Sequence, residues 1–102
     1  MPGVGKLLKQ AQKMQKAMEA VQAGLENISI EGTAAGGAVK AIVNGQGTLK
    51  DIKIDPDFLK EDAASVEASI VAAVADAVAK AKAESQEQMN KITGGFNIPG
   101  LI

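Results

Sequence analysis

The sequence predicts an α+β subunit of order α-β-β-β-α: a three-stranded antiparallel meander with two long helices. Three observations carry that expectation. The first 26 residues repeat every seven, with Leu7, Ala11, Met14, Met18, Val21 and Leu25 spaced 4, 3, 4, 3, 4 like the seam of a helix that packs on another helix. Residues 28–54 alternate apolar and polar between glycine-rich breaks, as half-buried strands do. Residues 62–92 return to a helical period in an alanine-rich run.

Taken in order, the first helix is expected from about Gly5 to Leu25, with Gly24 near its end. Ile28–Ser29–Ile30–Glu31 begins the first strand, and Thr33–Ala34–Ala35–Gly36–Gly37 is a turn by composition. A second strand carries Val39, Ala41 and Val43 on one side and Ala38, Lys40 and Ile42 on the other. Asn44–Gly45–Gln46–Gly47 closes a hairpin, because Asn and Gly both tolerate positive φ. The third strand sets Ile52 and Ile54 against Asp51 and Lys53, and Asp55–Pro56 stops it. In the second helix Val66, Ile70, Val74, Ala77 and Ala81 form a stripe that Val71 and Val78 widen, and Thr93–Gly94–Gly95 is its stop signal. At ~1.5 Å per residue that helix is about 45 Å long and overhangs a sheet of ~20 Å. Beyond Ala81 its stripe turns polar (Glu84, Ser85, Gln88), so its last turns have little core to sit on. Both helices are expected on one sheet face, with polar far ends projecting as arms. Residues 1–95 read as a single domain. The apolar tail, residues 96–102, is too short to be an element, and either disorder or docking on a neighbour accommodates it.

Composition narrows the chemistry. The 102 residues include two aromatics, Phe58 and Phe96, and no Trp, Tyr, His or Cys; all 11 basic residues are lysines. An aliphatic core this small favours a second copy to complete it, so a homodimer is expected, with Ile52, Ile54, Val74, Ala77 and Val78 at the interface. Without imidazole, thiol or guanidinium, the side chains lack the usual neutral-pH base, the best nucleophile and the usual transition-metal ligands. No catalysis, cofactor, small-molecule substrate or bound metal is expected. The acidic cluster Asp55, Asp57, Glu61, Asp62 and Glu67 lacks the spacing of a calcium loop and suits turn and helix caps instead. Gly3–Val4–Gly5–Lys6 lacks the upstream glycine, the following Ser or Thr and the preceding strand of a phosphate-binding loop. No apolar run reaches signal-peptide or membrane-spanning length, which points to the cytoplasm and away from membranes.

Charge is unevenly distributed. Residues 1–25 hold four lysines and one glutamate, +3, which leaves −4 of the net −1 for the remainder. Lys6, Lys9, Lys13 and Lys16 are spaced 3, 4, 3 and fall in one arc, about 140° round from the apolar seam. A charged face opposite a seam is ordinarily the solvated side of a helix. This one differs in being single-signed, where a merely solvated helix interleaves Glu with Lys. It is also flanked by Gln12 and Gln15, and a dimer would double it. A row of ammonium groups suits a polyanion. With no arginine fork for guanine and no stacking platform, any nucleic acid would be duplex, held by its backbone with weak sequence preference.

Leu8–Lys16, Val39–Gly45, Ile54–Asp55–Pro56 with Leu59, and Gly95–Leu101 follow one another in an order that resembles the YbaB/EbfC nucleoid-associated proteins over nearly the whole chain. The resemblance implies the same α-β-β-β-α subunit, a tweezer-shaped homodimer with helical arms, and binding of double-stranded DNA in the bacterial nucleoid. Carried over by position, it implies DNA contacts from Lys6, Lys9, Lys13 and Lys16, and secondarily from Lys80, Lys82 and Lys91; Gln12, beside the lysines, is a further candidate because its neutral amide can hydrogen-bond phosphate without repelling it. The alternative is an adaptor protein whose arms hold another protein.

Overall fold

The computed structural model describes residues 2–95. Helix α1 spans Pro2–Glu26, strands β1, β2 and β3 span Ile30–Ala34, Val39–Val43 and Leu49–Ile54, and helix α2 spans Ala63–Gly95, with short 3-10 turns at Ala35–Gly37 and Phe58–Lys60. The fold class is the α-β-β-β-α arrangement expected. The strands form one antiparallel sheet in the order β1-β2-β3. Residues Thr33 and Ala34, expected in a turn, pair with Lys40 and Val39, so the turn shrinks to Ala35–Gly37, where all three residues have positive φ. The Thr93–Gly95 stop lies inside the last turn of α2.

The core is one layer of small residues. Val39, Ala41 and Val43 of β2 and Ala73, Ala77 and Ala81 of α2 are almost fully buried, and Ile30, Ile52, Ile54, Ile70 and Val74 pack round them. α2 therefore meets the sheet through alanines at i, i+4, i+8, and its valines 71 and 78, expected in the buried stripe, are 68% and 40% exposed. The reason lies in β1. A Cβ at Gly32 would collide with the Ala73 carbonyl oxygen and the Ala77 nitrogen, so glycine on the strand and alanine on the helix let two backbones touch.

Helix α1 does not lie on the sheet face as expected. It runs antiparallel to the projecting end of α2: Val21, Gly24, Leu25 and Ile28 meet Glu84 and Gln88, and Met89 faces the segment from Ala11 to Gln22. The polar end of α2 is thus seated on α1. Both helices leave the sheet together, which makes the chain 71 Å long against 23 and 16 Å across. Its radius of gyration, 19.7 Å, far exceeds the ~13 Å of a compact domain of this length.

The β2–β3 turn anchors that arm, though not by the expected geometry. Neither Asn44 nor Gly45 has positive φ; Gly47 does, at +86°. Asn44 pairs with Thr48 across a three-residue loop, and its buried Oδ1 accepts from the Gln46 and Thr48 amides at 2.9 and 3.0 Å. Its Nδ2 donates to the Glu26 carbonyl at 3.3 Å, the Gly45 amide to the Leu25 carbonyl at 2.7 Å, and Gln46 Nε2 to the Gln22 carbonyl at 3.0 Å. The first two of these donors satisfy carbonyls that the end of α1 leaves open. Gly45 is glycine for proximity: a Cβ there would sit 2.7 Å from Leu25 Cδ2.

Candidate nucleic-acid interface

Lys6, Lys9, Lys13 and Lys16 are all exposed on α1, with exposed Gln12 beside them. Among the described residues, no carboxylate comes within ion-pair distance of any of the four; the ion pairs involve Lys40, Lys60, Lys80 and Lys91. Glu19, the one acid that could interrupt the row, accepts from Gln15 Nε2 at 3.4 Å. The helix places the four ammonium groups along about 15 Å of its axis. The same length of duplex carries roughly nine phosphate charges.

The seam does not face α2 squarely. The stripe of α1 that is covered runs through half-buried Gln10, Met14, Ala17 and Val21 to buried Leu25, spaced 4, 3, 4, 4. Leu7 and Met18 of the expected seam stay 56% and 42% exposed. The covered stripe is thus turned toward the lysines by about 40° from the expected seam. Even so, the lysine arc remains clear of α2.

The three α2 lysines do not form one patch with each other. Lys80 is engaged elsewhere: its Nζ pairs with Asp76 at 3.1 Å and donates to the Glu31 carbonyl of β1 at 3.2 Å. Asp76 also accepts from the Thr33 amide at 3.0 Å. These bonds, the Thr33 N–H first and Lys80 second, hold the Asp76 carboxyl below its ordinary value of 3.8. The Ser65 hydroxyl and amide do the same for Asp62 at the start of α2. Lys91 approaches Glu87 at 3.9 Å. Lys82 lines a groove with Gln22, Gln46 and Val78, about 160° or more round α2 from Lys80 and Lys91.

Of the residues expected at a dimer interface, Ile52, Ile54 and Val74 are half-buried and Val78 is exposed, whereas Ala77 is fully buried inside the subunit. Ala77 therefore cannot touch a partner, because its one methyl group is already spent on the sheet. Among the described residues no three potential ligands gather into a metal site, and no helix is long and apolar enough to cross a membrane.

Comparison with known proteins decides the family. The sequence profile of the YbaB/EbfC DNA-binding family matches residues 1–96. The chain belongs to that family. It is similar to the nucleoid-associated protein TTE0040 of Caldanaerobacter subterraneus, 42% identical over 99 residues, covering 96% of this chain and 89% of the relative. It is equally similar to the nucleoid-associated protein CA_C0126 of Clostridium acetobutylicum, 42% identical over 106 residues, with 98% and 95% covered. The crystal structure of the uncharacterized protein HP0035 from Helicobacter pylori has the same fold, with a TM-score of 0.74 at 22% identity over 89% of this chain and 94% of that one. The YbaB/EbfC family is one of DNA-binding proteins and not of enzymes. The tail at residues 96–102 lies outside the described residues.

Proposed function

We propose that this protein binds double-stranded DNA in the nucleoid as a homodimer, through lysine contacts to the phosphate backbone and with weak sequence preference. The observation that carries the reading is the single-signed arc of Lys6, Lys9, Lys13 and Lys16, exposed and without a carboxylate partner among the described residues, on a helix of a DNA-binding family. Lys82 and Gln12 are secondary contacts. Lys80 and Lys91 are weaker candidates, since each would exchange an existing carboxylate pair for a phosphate.

The uneven finish of the two sheet edges supports the dimer. The β1 edge is covered, because Asp76 and Lys80 occupy the outward N–H of Thr33 and C=O of Glu31. α2 lies over β1 and β2, and β3 is left as an edge with exposed Leu49 and half-buried Ile52 and Ile54, while Val71 and Val78 of the helix also stay exposed. A second copy on the β3 side would bury that surface and double the lysine row. An electrophoretic shift at low salt tests the function. Retardation of duplexes of unrelated sequence by micromolar protein is expected; no retardation would favour the adaptor reading.

A further inference from the structure

The sequence has no Cys, Trp, Tyr or His and four methionines, so thioethers are the side chains that a peroxide oxidises first. Three of the four lie in one place. Met14, Met18 and Met89 line an open groove of about 620 Å³ between α1 and α2, rimmed by Gln15, Glu19 and Gln22. Met18 is 42% exposed, and Met14 and Met89 are half-buried.

The same side chains hold the arm together. On α1, from Val21 toward the amino end, the half-buried residues are Gln10, Met14 and Ala17, of which Met14 alone is large and apolar. On α2 beyond Ala81, Met89 and Ile92 are the half-buried apolar residues among those described. The sheet core is built of Val39, Ala41, Val43, Ala73, Ala77 and Ala81 and contains no sulfur. Among the described residues, every methionine therefore stands in the seam of the arm.

We propose that Met14, Met18 and Met89 form a peroxide-sensitive modification site whose oxidation releases α1 from α2. The sulfur lone pair attacks one oxygen of the peroxide, and the S–O bond forms as the O–O bond breaks. Sulfur loses two electrons and becomes a sulfoxide. The departing hydroxide takes the proton left on the transferred oxygen and becomes water. A sulfoxide oxygen needs hydrogen-bond donors, which an apolar seam does not supply. Oxidised Met14 and Met89 accordingly leave the seam for water, and α1 separates from α2 while the sheet stays intact. The inference is independent of DNA binding.

Titration of the full chain with hydrogen peroxide tests it, read by mass spectrometry of its peptides and by amide exchange. Met18 is expected to gain an oxygen first, followed by Met14 and Met89. Exchange across residues 7–21 and 86–92 should then quicken by about tenfold or more, while residues 39–43 and 73–81 exchange as before. Methionine sulfoxide reductases should restore the native pattern. The combined variant Met14→Leu, Met18→Leu, Met89→Leu keeps the seam apolar and of similar volume, and its arm should not respond to peroxide. Methionines that resist a dose oxidising the free amino acid would overturn the inference. So would sulfoxides that leave arm exchange unchanged, exchange that the reductases do not restore, or an equal response in the leucine variant.

Discussion

Of the glycines among the described residues, Gly32 and Gly45 are the two where an added Cβ would collide, one with α2 and one with the end of α1. Because β-strand and helix backbones cannot yield, Gly32→Ala should cost at least 1–3 kcal/mol, read as a lower urea midpoint. Gly24→Ala is the contrasting case: nothing lies within 4 Å of its Cβ position, and it should gain about 0.5–1 kcal/mol through helix propensity. Equal effects of the two substitutions would contradict the close-approach account. Asp76 makes a prediction in pH. Its folded carboxyl is held below 3.8 by Thr33 and Lys80, so its contribution to stability is complete above the unfolded value. It is lost as pH falls through the lower, folded value. Asp76→Asn should therefore narrow its stability gap to the native chain below about pH 4. A gap constant from neutral pH to acid would show that the carboxylate charge contributes nothing.

At the scale of elements, the hairpin turn decides where the arm begins. Asn44 is 3% exposed and serves two backbone donors and one carbonyl. Asn44→Ala removes all three of these hydrogen bonds at once and should cost about 1–3 kcal/mol in total. Amide exchange should rise in residues 22–28 as well as in the turn, since the same side chain ties α1 down. The elements themselves were legible in the sequence because their periods differ, and the lysine arc was legible because helical geometry alone sets which side chains share a face. What could not be read was how the elements meet. Ala77 and Ala81 stand in the expected stripe of α2 among larger valines, and only Gly32 opposite the alanines marks them as the line of helix-to-strand contact. The 4-3 seam of α1 was visible, but Gln10 and Ala17 gave no apolar signal, so the stripe that α2 covers was hidden. Asn44–Gly45 marks the turn for a different reason than expected, since the positive φ belongs to Gly47 and Gly45 is glycine for proximity. Lys80 looked like one more arm lysine until the β1 edge claimed it.

For the whole molecule, two faces are proposed to take partners: the β3 side a second copy and the lysine arc DNA. Val78 is 40% exposed in the subunit, so Val78→Asp should leave its helix content intact while shifting sedimentation equilibrium from dimer to monomer. A dimer of unchanged affinity would place the interface elsewhere. The central claim is that α1 neutralises phosphates, and the salt dependence of duplex binding tests it most directly. Log affinity should fall with log salt at about −0.9 per phosphate engaged, so the eight lysines of two arcs cap the slope near −7 and partial engagement puts it at roughly −3 to −5. Replacing Lys9 and Lys13 by glutamine preserves helix propensity. In each subunit of the dimer it removes two contacts, so the slope should flatten by up to about 4, with weaker binding to all sequences alike. A slope and an affinity unchanged by that substitution would contradict the account and make the arc no more than the wet side of a helix.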